Sequence, residues 1–184
     1  MAWLRRREAV EPLAVSMAGV RLGDRLLAVG LADPVLVAQL ARKTGLTGRV
    51  CAVDADAARS ARSAAQIERE GALVEVAHAP WGTLPYEADS FDVALIQDLL
   101  YRLSADERPQ CVADVLRVLR PGGRVVVIEP AARAGVATLL SRRTIDPRYR
   151  EGGGAVEALK AGGFSAVRAI GERDGVVYVE GARR

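Results

Sequence analysis

Aromatic residues, cysteine and histidine are all scarce in this chain of 184 residues. Only 4% of the residues are aromatic, and the chain holds two cysteines and one histidine. A zinc site or a disulfide framework needs a cluster of such residues, so the sequence predicts neither. Cys51 and Cys111 stand far apart in apolar stretches, and we expect each to be a small buried side chain rather than a disulfide partner or a nucleophile.

Long hydrophobic runs are missing as well. No apolar stretch reaches the roughly 18 residues of a membrane-spanning helix, and no signal-peptide core follows the first residues. We therefore expect a cytoplasmic protein. The formal net charge is only +3, which indicates a solvated surface rather than one that binds nucleic acid.

The hydrophobic content is sufficient for one substantial core. Half of the residues are hydrophobic, and because aromatics are few this core must consist mainly of Val, Leu, Ala and Ile. We place one domain at residues 22–184, after an N-terminal segment at 1–21. That segment contains the basic stretch Trp3-Leu4-Arg5-Arg6-Arg7, which is either a frayed tail or a weak anchor for an anionic surface.

Short apolar runs alternate with helical segments along most of the chain. The pattern predicts strands at 25–30, 49–53, 73–77, 91–96 and 123–129, and helices at 33–43, 56–70 and 105–119. Asp33 and Asp56 are typical helix N-caps, and Pro34 suits a first helical position. Strands that alternate with helices in this way form a parallel sheet with helices on both faces.

The last third of the chain has a different pattern. Residues 131–151 are small, basic and irregular, with a short helix expected near 135–142. A helix follows at 155–161, and two strands at 164–170 and 175–180 flank a short turn. Because only a turn joins them, these two strands are antiparallel. The predicted fold is therefore α/β: a doubly wound, mostly parallel seven-stranded sheet with an antiparallel last strand.

The stretch Leu119–Pro130 carries the strongest family signal. It reads Leu-Arg-Pro-Gly-Gly-Arg and continues as Val-Val-Val-Ile-Glu-Pro. Together with Leu84-Pro85-Tyr86 and Asp89-Ser90-Phe91-Asp92, it resembles the class I S-adenosylmethionine-dependent methyltransferases, especially the ubiquinone/menaquinone type. The resemblance extends over about residues 22–180. It implies a Rossmann-like fold with the last strand inserted antiparallel, S-adenosylmethionine as cofactor and a small-molecule substrate.

The cofactor loop after the first strand is degenerate. The family places an acid near the strand end and then a Gly-x-Gly-x-Gly turn, but here only Gly30 matches, because Ala32 and Pro34 replace glycines. Ala28 stands at the position of the acid. The resemblance still implies that the cofactor contacts Gly30 and Ala32. Asp33 either replaces the missing acid or only caps its helix.

Three further positions complete the cofactor site that the resemblance implies. Asp54 ends the second strand, about 20 residues beyond the glycine turn; it either accepts hydrogen bonds from a ribose diol or simply caps the next helix. Where the family has an Asp-Ala pair for adenine, this chain has Pro80-Trp81. Trp81 either stacks on adenine, blocks the pocket or packs as an ordinary core residue. Gln97 follows the fourth strand and faces the same edge of the sheet.

The sequence indicates no catalytic residue. Asp98 and Tyr101 follow the fourth strand at the expected active-site edge and are candidates for a base or an orienting group. Methyl transfer from a sulfonium is an in-line displacement, so positioning suffices without a strong base. The chain lacks an Asn-Pro-Pro-Tyr element, which argues against a methylase of nucleic-acid bases. We expect His78 to be a satisfied histidine at a strand end.

Two functions remain open at this point. The first is a methyltransferase acting on a small molecule, and the basic residues of 131–150 would suit an acidic or membrane-associated substrate. The second is a catalytically inactive descendant that serves as a binding or assembly protein with a protein partner. It is favoured because the losses at Ala28, Ala32, Pro34 and Pro80 all fall on the cofactor site. A nicotinamide-dependent dehydrogenase is weaker, because its glycine pattern is absent too.

Overall fold

Seven strands in the described part of the chain form one mixed sheet, and six helices accompany it. The computed structural model describes residues 11–131 and 146–184. The strands are β1 (Arg25–Val29), β2 (Arg49–Asp54), β3 (Glu75–His78), β4 (Phe91–Gln97), β5 (Leu119–Pro130), β6 (Ser165–Arg173) and β7 (Val176–Ala182). The helices are α1 (Leu13–Ala18), α2 (Pro34–Thr44), α3 (Ala57–Arg69), α4 (Glu107–Val118), α5 (Pro147–Glu151) and α6 (Gly154–Ala161), with a 3₁₀ turn at Leu100–Arg102.

The order of the strands confirms the predicted doubly wound fold. The sheet runs β3-β2-β1-β4-β5-β7-β6. From β3 to β5 in this order, each strand is parallel to its neighbour, whereas β7 lies antiparallel to both β5 and β6. The chain leaves β1 in one direction to reach β2 and later returns on the other side of β1 to form β4. In such sheets ligands bind at the carboxyl ends of the strands beside this reversal.

Both predicted N-caps are confirmed. The carboxylate of Asp33 accepts a hydrogen bond from the Leu36 N–H at 3.0 Å, and that of Asp56 accepts one from the Arg59 N–H at 3.0 Å. Each cap satisfies one of the N–H groups that a helix start leaves without a partner. Pro34 occupies the first turn of α2, where its missing N–H costs nothing.

Apolar side chains cover both faces of the sheet. Alternation along β1 divides the core: Leu27 and Val29 face α4 and α6, and Leu26 and Ala28 face α1, α2 and α3. Both cysteines are buried and free. Helix α1 also contributes buried side chains to the core, and the domain boundary at residue 22 stays a prediction. Of the helices in 11–131 and 146–184, none is long and apolar enough to cross a membrane.

Strand β5 begins earlier than the sequence pattern predicts. Leu119 pairs with Phe91 and Arg124 pairs with Val93, so residues 120–123 bulge out of the ladder instead of forming a separate turn. The bulge includes Gly122, whose φ is +80°. Arg120 at its start forms an ion pair with Asp92 at 2.5 Å, which ties the bulge to the start of β4.

Other element boundaries also shift. Strand β3 begins at Glu75 rather than at Leu73, because Leu73 is 80% exposed and is not part of the buried pattern. Helix α5 occupies Pro147–Glu151, where an irregular segment was expected, and Asp146 caps it. The helix predicted near 135–142 lies outside the described residues.

A buried carboxylate on α4 holds the loop that precedes β4. Asp114 is 7% exposed and accepts a hydrogen bond from the Leu84 N–H at 2.5 Å. Its other oxygen accepts one from Arg117 Nε at 2.6 Å. The loop that contains the Leu-Pro-Tyr element is therefore anchored to α4 by one side chain.

Replacing Asp114 by alanine tests this anchor. Asp114→Ala leaves a buried N–H and a guanidinium without their acceptor, so we expect the free energy of unfolding to fall by about 2–4 kcal/mol. Urea unfolding followed by circular dichroism measures the change. Asp106→Ala is the matched control, since Asp106 is exposed at the start of the same helix and makes no capping hydrogen bond. Equal losses in both variants would contradict the assignment.

Candidate functional site

The candidate site lies at the carboxyl ends of β1, β2 and β4. Gly30 follows β1 directly, and its N–H donates to the Val53 carbonyl at 2.9 Å. Its φ is +80°, and a Cβ there would stand 2.8 Å from the Gln97 carbonyl oxygen. Glycine is thus required because the turn after β1 passes directly against the end of β4. Glycine at position 30 is therefore required by a contact with the protein's own backbone, the Gln97 carbonyl, and not by a ligand.

Asp54 is the most buried polar group at this edge. Its exposure is 1%, and each of its oxygens accepts a backbone hydrogen bond: Oδ2 from the Leu31 N–H and Oδ1 from the Asp56 N–H, both at 2.9 Å. Arg59 Nη1 lies 3.2 Å from Oδ2. The side chain predicted to receive a ribose diol therefore joins the end of β2 to the turn after β1 and to the start of α3.

Gln97 carries the one orphaned amide that lines a cavity at this edge among the described residues. It is 3% exposed, and its Oε1 accepts a hydrogen bond from the Asp33 N–H at 3.1 Å. Its Nε2 is buried and has no partner within the described ranges. Gln97, Ala32, Asp33 and Asp98 line a cavity of about 370 Å³. A buried donor without a partner is uncommon, and here its acceptor must lie outside the described residues.

The two candidates after β4 occupy different environments. Asp98 has a φ of +49°, an uncommon conformation for a residue other than glycine. Its carboxylate lies 3.3 Å from Arg102 Nη2, and its N–H donates to the Ile128 carbonyl. Tyr101 is buried, and its hydroxyl accepts a hydrogen bond from Arg102 Nε at 3.0 Å. Asp98 is thus the more accessible of the two.

The remaining predicted positions are placed as follows. Ala28 is fully buried within β1, so it does not face the edge as an acid would. Trp81 is half-buried and packs against the core on the α4 side; its stacking on adenine stays a prediction. His78 Nε2 lies 3.1 Å from the Ala55 carbonyl oxygen, as expected for a satisfied strand-end histidine. Within 11–131 and 146–184, no three His, Cys, Asp or Glu side chains converge as metal ligands would.

An arginine-lined groove adjoins the same edge and was missed at the sequence level. Arg59, Arg62, Arg69 and Arg102 line a groove of about 480 Å³ that also touches Ala32. Three of them come from α3, where helical spacing aligns them. Two, Arg59 and Arg102, are held by ion pairs with neighbouring carboxylates. The groove gives this side of the site a positive border.

A second buried carboxyl, also missed, lies at the end of β5. Glu129 is 6% exposed and accepts hydrogen bonds from the Tyr149 hydroxyl at 2.9 and 3.2 Å and from the Ala155 N–H at 3.3 Å. Burial raises the pKa of Glu129 to about 7. Burial and the Glu129 charge also raise the pKa of Tyr149. A charged residue that ends an apolar strand was the available signal.

Sequence comparison with known proteins identifies similar chains. A family model described as "Methyltransferase domain" matches residues 26–123. The ubiquinone/menaquinone biosynthesis C-methyltransferase UbiE of Idiomarina loihiensis is 29% identical over 117 residues, which make up 62% of this chain and 46% of that protein. The protein of the same name from Stutzerimonas stutzeri is 31% identical, over 62% of this chain and 45% of its own. The match thus spans about half the length of these relatives.

Solved structures agree in fold at low sequence identity. A SAM dependent methyltransferase from Aquifex aeolicus has a TM-score of 0.75 at 17% identity, covering 92% of this chain and 87% of that one. The PH0226 protein from Pyrococcus horikoshii has a TM-score of 0.71 at 16% identity, covering 96% of this chain and 89% of that one. The [4+2]-cyclase SpnF has a TM-score of 0.69 at 18% identity, covering 93% and 78%. The fold is therefore shared by proteins whose names give different activities, a methyltransferase and a cyclase.

Removal of the Asp54 carboxylate tests its role in the edge. In Asp54→Ala the buried Leu31 N–H, the partly buried Asp56 N–H and Arg59 lose their acceptor, so we expect the free energy of unfolding to fall by about 2–4 kcal/mol. Asp56→Ala is the matched control, since it removes a helix cap and an exposed ion pair with Arg59 and costs about 1 kcal/mol. Urea unfolding of both variants without ligand gives the comparison. A smaller loss in Asp54→Ala than in the control would show that the edge does not depend on it.

The buried Glu129 predicts how stability varies with pH. Its pKa rises from 4.5 to about 7 on folding, so the folded protein keeps a proton that the unfolded chain releases. The retained proton contributes to the free energy of unfolding. This contribution is complete below the pKa of Glu129 in the unfolded chain and is lost as the pH rises through about 7. Compared with Glu129→Gln, whose side chain stays neutral, the free energy of unfolding of the wild type should fall by about 3 kcal/mol as the pH rises from the unfolded to the folded pKa of Glu129. Urea unfolding of both proteins across this pH range measures the difference, and a constant difference would contradict the burial argument.

Proposed function

Because the chain belongs to the methyltransferase domain family, we propose that it transfers a methyl group from S-adenosylmethionine to a small molecule. The family and its structural neighbours imply this cofactor. The observation that carries the proposal is the buried Gln97 amide nitrogen, which lacks a partner in the described chain and lines the cavity beside Ala32. A ligand acceptor at that position would satisfy it.

The residues at this end of the site fit the cofactor. Gln97 offers a buried hydrogen-bond donor, and the start of α2 carries the partial positive charge that favours a carboxylate. Ala32 adds only a methyl group to the turn, and Pro34 lies in the first helical turn, where no N–H is needed for the helix. We propose that Gly30, Ala32 and Gln97 contact the cofactor.

The ribose side requires one exchange of partners. Asp54 is the proposed acceptor for the ribose hydroxyls, and Arg59 now occupies one of its oxygens at 3.2 Å. Arg59 is 37% exposed, so it can move into water, whereas the backbone donors of Leu31 and Asp56 remain in place. A ribose diol would therefore replace the guanidinium. Trp81 is proposed to border the adenine.

The chain's own residues then act mainly by positioning. When bound, the cofactor supplies an electrophilic methyl group on a sulfonium. The Gln97 amide fixes the turn after β1 by accepting the Asp33 N–H, and Asp98 places a carboxylate at the border of the same cavity. Alignment of the reacting groups is the principal requirement of such a displacement. The suitability of residues 131–150 for an acidic or membrane-associated substrate stays a prediction, since most of that segment lies outside the described residues.

A second candidate function is a methyltransferase fold kept as a binding or assembly protein. It is favoured by the intramolecular saturation of Asp54, which needs no ligand to satisfy it. The arginine-lined groove also places positive charge beside a site whose cofactor carries a sulfonium and an ammonium group. A fold by itself does not decide the reaction, as the cyclase among the neighbours illustrates.

Titration calorimetry with S-adenosylmethionine and with its demethylated product separates the two candidates. We expect saturable binding of both ligands to the wild type. Gln97→Glu keeps the oxygen that accepts the Asp33 N–H but replaces the orphaned donor with an acceptor, so binding should weaken by about tenfold or more. Gln110→Glu makes the same change at an exposed position of α4 and should leave the affinity unchanged.

Two outcomes of the titration would contradict the methyltransferase proposal, the first its function and the second its placement of the cofactor. The first is no heat of binding for either ligand at millimolar concentration with a folded wild type, which favours the binding or assembly protein. The second is equal affinity of Gln97→Glu and Gln110→Glu for S-adenosylmethionine, which would show that the cofactor does not bind in the Gln97 cavity.

A further inference from the structure

A second cavity lies on the other face of β5. It has a volume of about 330 Å³ and is lined by residues of β5, β6, β7, α5 and the start of α6. Its walls are mostly apolar, with Val156, Val177 and Val179 among the lining side chains. This size and lining are typical of pockets for small molecules.

Two polar side chains, Glu129 and Arg150, line this cavity. The Glu129 carboxyl lines it and is fixed by the Tyr149 hydroxyl and the Ala155 N–H. A carboxylate has about four acceptor positions, so Glu129 retains acceptor capacity. Arg150 also lines the cavity, and its Nε is buried without a partner among residues 11–131 and 146–184. The cavity therefore offers an acceptor and an unused donor.

Glycine keeps the carboxyl accessible from the cavity. Gly154 starts α6 with a φ of +58°, and a Cβ there would lie 3.5 Å from Glu129 Oε1 and 3.9 Å from Tyr149 Cε1. A side chain at this position would contact the carboxyl oxygen and would also be strained. The absence of a side chain leaves space beside that oxygen.

We propose that this cavity binds a compact, largely apolar small molecule whose hydroxyl group donates to Glu129 and accepts from Arg150. A hydroxyl is the simplest group that is both a donor and an acceptor, so it matches both polar partners. The valine walls match the apolar remainder of the ligand. A carboxylate or phosphate would face the Glu129 carboxyl and is disfavoured, in contrast to the acidic substrate suggested by the basic segment.

The position of the cavity makes its ligand a candidate methyl acceptor. Tyr101, in the segment after β4, contributes to the wall, and Glu129 directly follows Ile128, which lines the Gln97 cavity. Both cavities therefore lie at the carboxyl end of β5, on its opposite faces. This identification of the ligand as the acceptor rests on the proposed function; the binding itself does not.

A matched pair of probes tests the proposal. p-Cresol and toluene share the methyl-substituted ring and differ in the hydroxyl. We expect p-cresol to bind at least about tenfold more tightly than toluene and to shift the Ala155 amide resonance in ¹H–¹⁵N spectra. Glu129→Gln should weaken the binding of p-cresol by about tenfold, and circular dichroism checks that the variant is folded. Glu157→Gln makes the same change at an exposed position of α6 and should leave p-cresol binding unchanged.

A second variant keeps the test independent of the buried carboxyl. Ala169 lines the cavity but is exposed on β6, so Ala169→Leu fills the cavity with little risk to the fold and should abolish binding of p-cresol. Equal affinity for the two probes, or unchanged p-cresol binding in Ala169→Leu, would overturn the proposal. Binding of p-cresol without binding of S-adenosylmethionine would overturn only the proposed function, and the reverse result would overturn only this inference.

Discussion

The buried carboxylate of Asp54 is the interaction on which the candidate site depends. One oxygen accepts a hydrogen bond from the Leu31 N–H beyond β1, and the other accepts one from the Asp56 N–H before α3. These bonds fix the turn that brings Gly30 against the end of β4. Because the strand order reverses between β1 and β4, this is the edge where a doubly wound sheet binds its ligand. The geometry of the site thus follows from one side chain and its backbone donors.

This arrangement explains how the edge persists although its glycine pattern is degraded. The turn is held by Asp54 on one side and by the hydrogen bond from the Asp33 N–H to Gln97 on the other, so Ala32 and Pro34 occur in a backbone that needs no ligand to form. A ribose would have to compete with Arg59, because the guanidinium already contacts one oxygen of the Asp54 carboxylate. Cofactor affinity therefore depends on the balance between the Arg59 ion pair and the ribose hydrogen bonds.

The sequence predicted the features that depend on local pattern and missed those that depend on distant contacts. The doubly wound, mostly parallel sheet, its antiparallel last strand, the caps at Asp33 and Asp56 and the family resemblance are confirmed. Helix α1 was missed because it has only six residues, and its apolar side chains matter only once packed under β5. The Glu129–Tyr149 pair joins residues 20 positions apart across elements, and no periodicity links them. The roles of Asp54 and Trp81 toward a cofactor stay predictions, since a strand-end position is equally typical of a structural side chain.

A crystal structure of the protein grown with S-adenosylhomocysteine tests the central claim most directly. Cofactor binding at this edge predicts electron density for the ligand at the carboxyl ends of β1 and β4, with Gln97 Nε2 within about 3 Å of a ligand acceptor. It also predicts that Arg59 has left Asp54 while the Leu31 and Asp56 hydrogen bonds remain. Ligand density elsewhere, or a Gln97 cavity without ligand in which Arg59 still contacts Asp54, would contradict it.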